Sequence, residues 1–439
     1  MLAAGILMGS SVHTQSVADR MKWWTDARFG MFIHWDMSSI AGTEISWSRK
    51  GSKPLDIFGD PAGYVEDPVY DHLYTKFNPT QFDAAAWAKL AKQAGMKYVV
   101  FTAKHHGGFC MFHTALTDYN IASTPFKRDV VKELFEACRK EGLKVGVYYS
   151  PRDWHQPDYG AADAGKYHAY IMGQLTELLT ELLTHYGKID VMWFDSFGKG
   201  DSLNYWKADE VLALVKRLQP AIVVNNRAGY YADGNPFFKQ DFDTPEQRLG
   251  DFQNDRPWES CMTVVKVPDG GGWSYRPDGT VRSLEECIRS LASCSCGDGN
   301  LLLDVGPDST GIIPADQSER LRQVGAWLQT NGSSIYKTHG GPYKNGTWGG
   351  STYRGRSVFL HIFKWPNGDL VLPPLKSKII AFRTLGRSPV TIQQDGTAIR
   401  ITIPDDKRDP VDTVIELKLD RDAADELQSG KPIPVSGSQ

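Results

Sequence analysis

DAAAWAKLAKQA at residues 83–94, YVVFTAK at 98–104, VVKELFEACRK at 130–140 and VGVYYS at 145–150 decide the fold. The first segment repeats Ala, Trp and Leu at helical spacing, and the third carries acidic and basic residues on an outer face before stopping at Gly142. The second and fourth are short and rich in β-branched and aromatic residues. They are apolar almost throughout, as strands buried on both faces must be. Helix, strand, helix, strand in this order predicts strands lying parallel, joined by helical crossovers.

The alternation extends in both directions. Further strand candidates are Phe29–Trp35, Asp190–Asp195 (DVMWFD), Ala221–Asn226, Ser260–Val265 and Leu301–Val305. Helical spacing continues in Ala169–His185, Ala208–Leu218, Leu284–Ala292 and Gln317–Leu328. Alternation over this length predicts a closed (β/α)8-like TIM barrel, an α/β fold, across residues 18–335. An open doubly wound sheet is the alternative, but no G-x-G-x-x-G opens a first helix. After Asn331 the pattern changes to short strands separated by Pro-Asn-Gly, Asp-Gly and Pro-Asp-Asp turns. Residues 336–439 are expected to form a C-terminal β-sandwich with a frayed tail after Asp422. Residues 1–17 are expected to be the remnant of a secretory signal without its basic start, which places the protein outside the cytoplasm, secreted or periplasmic.

Composition narrows the function. There are 52 acidic and 49 basic residues, a net charge of -3, which excludes a broad basic face for nucleic acid. No stretch is long and apolar enough for a membrane span. Thirteen Trp and eighteen Tyr suit stacking on neutral sugars, and equally suit large aromatic cores. The six cysteines show no metal-ligand spacing, so buried free thiols are expected.

In a parallel barrel, chemistry gathers where strands end. The first strand ends at His34 and the second at His105-His106. Two adjacent histidines suggest a metal, but neighbouring strand residues face opposite ways and no carboxylate follows closely in sequence. Hydrogen bonding to sugar hydroxyls is the better reading, with a satisfied core histidine as the plain alternative. Tyr148 and Ser150 end the third strand. Asp195 directly follows Val-Met-Trp-Phe, where it either serves as a tuned nucleophile or caps the next helix; Gly198 and Gly200 bend the chain first, which favours the nucleophile. Beyond the fifth strand, Asp241, Asp243, Glu246, Asp251 and Glu259 are all candidates for a second carboxylate, and spacing does not choose among them. Paired carboxylates are what glycoside cleavage requires. The absence of a nucleophile elbow and of a P-loop counts against serine-hydrolase and nucleotide chemistry.

These segments together resemble the α-L-fucosidases of glycoside hydrolase family 29. RFGMFIHW (28–35), FTAKHHGGF (101–109), GVYYSPRDW (146–154), DVMWFD (190–195), WESCMT (258–263) and GNLLLDVGP (299–307) carry the resemblance in order along the barrel. The resemblance implies an exo-acting, retaining hydrolase that needs no metal and no cofactor. It assigns Asp195 as nucleophile and Glu246 as general acid/base, with Glu259 second. His34, His105, His106, Tyr148, Trp193 and Arg227 fall on sugar-binding positions; Trp47 and Trp273 are further substrate-binding candidates, with Trp193 and Trp273 expected as apolar walls. The expected partner is a fucosylated oligosaccharide or glycoconjugate; assembly into a homo-oligomer is left open. The chain departs from the family at Asp36 (usually Gly), at Gly107 (usually Asp) and at Ser46 (usually a Glu that contacts sugar hydroxyls). Either Glu44 takes over that contact or the sugar differs.

Overall fold

Seven apolar runs become the staves of one sheet. The computed structural model describes residues 16–49, 65–158, 164–195, 207–228, 240–268, 270–427 and 429–435. The staves are β1 (Phe29–Ile33), β2 (Tyr98–Lys104), β3 (Lys144–Tyr149), β4 (Val191–Phe194), β5 (Val223–Val224), β6 (Glu259–Thr263) and β7 (Asn300–Val305). Every pairing is parallel, in the spatial order β5-β4-β3-β2-β1-β7-β6.

The gap between β5 and β6 is bridged by residues 241–247. Asn225 bridges to Phe242, Asp243 to Trp258 and Glu246 to Cys261, all in parallel sense. The Asp241 N–H donates to Val224 O, and the Glu259 N–H donates to Asp243 O, both at 2.8 Å. This irregular eighth stave closes the ring. Its composition, DFDTPEQ, hides it, because Pro245 and three acidic residues contradict a strand pattern.

Period-two alternation sorts the staves into two faces. Met31, Ile33, Val99, Phe101, Val145, Val147, Met192, Val224, Leu301 and Leu303 face the helices in one large core. Phe32, Tyr98, Val100, Tyr148, Val191, Trp193, Val223, Cys261 and Leu302 fill the barrel interior. Gly30 makes room there: a Cβ on it would lie 2.5 Å from the Tyr98 ring. Helix α1 (Val17–Ala27) precedes β1 and packs Trp24 on Phe242 at a ring separation of 4.4 Å. Crossover helices are α2 (Ala84–Gln93), α3 (Val130–Lys140), α4 (Thr176–His185), α5 (Ala208–Leu218) and α6 (Leu284–Cys296), with α7 (Ala315–Asn331) after β7. Asp83 and Asp129 cap α2 and α3, and Ser283 with Glu286 forms a capping box on α6. No described α-helix joins β5 to the eighth stave, where only a short 3-10 turn at Asn226–Ala228 is seen, or that stave to β6.

The second unit is antiparallel. One sheet has the order β8 (His339–Gly340), β9 (Gly349–Arg354), β10 (Ser357–Ile362), β15 (Thr413–Leu419), β12 (Ile379–Thr384); a smaller one pairs β11 (Leu370–Leu372), β14 (Ile399–Thr402) and β13 (Thr391–Gln394). Their inner faces share a core of Val358, Leu360, Ile362, Leu370, Leu372, Ile399, Ile401, Ile415 and Leu417. The architecture is therefore a TIM-like barrel followed by a β-sandwich. The tail after Asp422 is not frayed over its described residues. Ala423 and Glu426 are buried, Glu426 accepts the Lys376 and Ser377 N–H groups, and Ile433 bridges to Tyr343. Backbone donors that meet the buried Glu426 carboxylate, and the backbone pairing at Ile433, outweigh the polar composition that suggested fraying. All six cysteines are free and buried.

Candidate active site

Alternation along β4 turns Val191, Trp193 and Asp195 to the barrel axis, so the carboxylate emerges at the C-terminal mouth directly above Trp193. Tyr148 Oη donates to Asp195 Oδ2 at 2.8 Å, and Arg227 Nη1 donates to Oδ1 at 2.9 Å. Burial pushes the Asp195 carboxyl up, but the Arg227 charge and these hydrogen bonds outweigh it and hold the group below its ordinary value. It is an ionised, directed carboxylate. It does not cap α5, which begins at Ala208 behind Lys207. Gly198 and Gly200 lie outside the described residues.

Arg227, one turn past β5, organises the mouth. Its Nη2 lies 2.8 Å from Glu246 Oε2, its Nε donates to Thr244 Oγ1 at 2.8 Å, and its guanidinium rests 4.7 Å above the Trp193 ring. One planar cation thus touches Asp195 and Glu246 together, which brings both carboxylates to one place at the barrel mouth. Glu246 reaches it because the eighth stave presents its side chain beside β6. Thr244 Oγ1 donates to Asn226 Oδ1 (3.0 Å), and Asn226 Nδ2 donates to Asp243 Oδ1 (3.0 Å), so that stave is laced to the end of β5.

The histidine pair differs from the sequence expectation. His105 and His106 lie beyond β2, after a register shift between Thr102 and Lys104, and both rings turn inward with centroids 4.2 Å apart. Strand alternation no longer governs them there. His105 stacks on Tyr148 at 5.2 Å. His106 Nε2 lies 3.6 Å from Asp195 Oδ2. His34 contacts Asp304 Oδ1 through Nδ1 at 2.7 Å. Burial lowers His34 to about 3 and raises Asp304 well above the carboxylate range, so the contact is a hydrogen bond between neutral groups rather than an ion pair.

Glu259, the second choice for the acid, is fully buried in the barrel interior. Tyr98 Oη donates to it, and Trp193 Nε1–H donates to its Oε1 at 3.2 Å. Burial raises it to about 7. It supports the Trp193 floor from below. Glu44 is also buried, and its carboxylate accepts the Gly272 N–H (2.7 Å) and the Ser274 N–H (3.3 Å). Those bonds bracket Trp273, whose ring lies 5.0 Å from His34. Trp47 packs edge-on to His106 at 5.4 Å and to Trp154 at 5.3 Å. Phe32, Tyr148, Trp193 and Trp273 make the apolar lining. The sequence reading missed Asp304, Thr244 and Trp154 as parts of the site. Asp304 carried a usable signal, a carboxylate inside the apolar run Leu-Leu-Leu-Asp-Val.

Space supplies the carboxylate that sequence proximity did not. His105, His106 and Asp195 hold ligand atoms within 4.8 Å of one another, the one such group among the described residues. Arg227 on the same carboxylate repels a second cation, so the arrangement suits hydrogen-bonding better than metal binding.

An Alpha-L-fucosidase family model matches residues 9–333. The chain belongs to the α-L-fucosidase family. It is 34% identical over 374 residues to a plasma alpha-L-fucosidase of Rattus norvegicus, covering 80% of this chain and 79% of that one. The Homo sapiens plasma enzyme is 31% identical over 411 residues, covering 86% and 85%. Among solved structures, alpha-L-fucosidase isoenzyme 1 from Paenibacillus thiaminolyticus superposes with a TM-score of 0.81 at 34% identity, over 92% of this chain and 99% of that one. A family 29 enzyme from Bacteroides thetaiotaomicron, trapped as a covalent intermediate with 2-fluoro-fucosyl fluoride, superposes with a TM-score of 0.79 at 26% identity, over 95% of this chain and 100% of that one. The fucosidase family is one of glycoside hydrolases acting with retention.

Proposed function

We propose that this protein removes terminal α-L-fucosyl residues from glycans by double displacement, with Asp195 as nucleophile and Glu246 as acid/base. The observation that carries the reading is the single guanidinium of Arg227 held between the two carboxylates. An Asp195 oxygen attacks the anomeric carbon while its bond to the leaving oxygen breaks and Glu246 protonates that oxygen. Water, deprotonated by Glu246, then releases fucose and regenerates Asp195. The Arg227–Glu246 contact must open for Glu246 to hold its proton. The histidines present polar nitrogens to the hydroxyls, and the Phe32, Tyr148, Trp193 and Trp273 rings supply an apolar wall for the methyl group of a deoxy-sugar. Such a wall discriminates against an added hydroxyl only by on the order of a hundredfold, so weak α-L-galactosidase activity is expected. Relatives described as plasma enzymes support an extracellular or periplasmic site of action.

Glu246→Ala provides the test. It is expected to keep cleaving aryl fucosides with good leaving groups, to stall on poor ones, and to yield α-fucosyl azide when azide is added. If Glu259→Ala behaves this way and Glu246→Ala does not, the acid assignment fails.

A further inference from the structure

Ser46 and Ser150 are fully buried hydroxyls beside the histidine pair. A hydroxyl has one proton to give and two lone pairs to fill. At Ser46 the Gly107 N–H donates to Oγ at 2.7 Å, and Oγ lies 2.8 Å from His105 Nδ1. The Ser46 N–H itself goes to Tyr70 Oη at 2.8 Å. At Ser150 the Arg152 N–H donates to Oγ at 3.1 Å, and His106 Nδ1 lies 2.6 Å away. The other acceptor near Ser150, the Asp195 carbonyl, is at 3.5 Å. At both serines a peptide N–H claims a lone pair, and the close hydrogen-bond partner left for the hydroxyl proton is an imidazole Nδ1.

We infer that Ser46 and Ser150 are positioning residues that fix His105 and His106 in the tautomer protonated on Nε2. The pair then offers two N–H donors side by side to hydroxyl oxygens of one sugar. An independent contact agrees for His106: its Nε2 faces Asp195 Oδ2 at 3.6 Å, where a proton meets an anion. Burial holds both imidazoles neutral, so each has a tautomer to select. A nitrogen carrying hydrogen has no lone pair for a metal, which makes His105 and His106 a pair of donors beside the accepting Asp195 carboxylate. The same bonds unite two departures from the family pattern. Ser46 takes a left-handed backbone, φ 60°, that brings its hydroxyl onto residue 107. A Cβ at Gly107 would stand 3.0 Å from that hydroxyl oxygen, so glycine there leaves room for the contact.

The inference rests on the fucosidase reading only for what the two donors meet, and its primary readout is independent of activity. Full-length protein labelled with ¹⁵N-histidine is examined by two-bond ¹H–¹⁵N correlation, with signals assigned through His105→Gln and His106→Gln. Both residues are expected to show bare Nδ1 and protonated Nε2. Ser46→Gly, chosen because glycine accepts the left-handed backbone, should release the His105 tautomer and raise KM for an aryl α-L-fucoside about fivefold to tenfold, the value of one hydrogen bond, with kcat changed less. Ser150→Ala should release His106, and Ser150→Thr should keep it. Protonated Nδ1 on either histidine in the unmodified protein, or tautomers unmoved by Ser46→Gly and Ser150→Ala, would overturn the inference.

Discussion

Asp195 sits under opposing influences, and their balance sets its chemistry. Burial favours the neutral acid; Arg227 and Tyr148 favour the anion and prevail. Tyr148→Phe removes one of the lowering influences. The acid limb of kcat/KM, which reports ionisation of the nucleophile, should therefore move to higher pH, with activity reduced about tenfold. A pH–rate profile checks this, and a limb that stays in place or moves down would exclude Asp195 as the titrating group. Glu259 gives a second residue-level expectation through stability. Its carboxyl is raised to about 7 in the folded chain from 4.5, so the folded state binds the extra proton between those values. Stability from this group is full below the unfolded value and is lost as pH rises through about 7. The total is on the order of 3 kcal/mol for a fully buried acid. Urea unfolding from pH 4.5 to 8 should show Glu259→Gln flattening that decline relative to the unmodified protein; parallel curves would place the proton elsewhere.

At the scale of elements, the barrel floor and the eighth stave carry the site. The floor runs from Gly30 under the Tyr98 ring to Glu259 and Trp193, and Trp193 in turn carries Arg227 and stacks on Tyr148. Gly30→Ala drives a Cβ into an aromatic ring and should cost about 1–3 kcal/mol by thermal or chemical unfolding, since a packed interior has no space to give. Most of this was legible. Asp195 emerges where period two and a short apolar run put it, and Tyr148, Trp193 and His34 follow from the same rule. The eighth stave was not legible, because its pairing comes from isolated bridges to neighbours on both sides rather than from its own apolar pattern. Glu44 shows the other limit. Its carboxylate accepts the backbone N–H groups on either side of Trp273, a contact between two loops that no spacing in the sequence announces.

The whole molecule joins two cores through a few directed contacts. Arg289 on α6 donates to Phe363 O, Pro410 O and Val411 O of the β-sandwich, at 2.9 to 3.0 Å. Arg28 at the foot of β1 donates to Gly299 O at 3.2 Å and also reaches Thr338 O, a second tie between barrel and sandwich. Arg289→Ala leaves three carbonyls without their donor and should lower stability by about 1–3 kcal/mol while kcat and KM stay within about twofold, because the Arg289 side chain bonds to none of the site residues. A large loss of kcat without loss of stability would mean that the sandwich acts on the pocket directly. The division into barrel and sandwich was visible in the change from helical spacing to turn-punctuated short runs. The contacts joining them were not, since each pairs a side chain with backbone carbonyls that any sequence would supply.

The most direct measurement is azide rescue of Asp195→Gly on an aryl α-L-fucoside, with the product's anomeric configuration read by NMR. Removing the nucleophile should cut turnover at least about a thousandfold, and azide entering the space it leaves should restore part of it and yield β-fucosyl azide. Near-normal hydrolysis by Asp195→Gly, or an azide product appearing only when a different carboxylate is removed, would contradict the assignment.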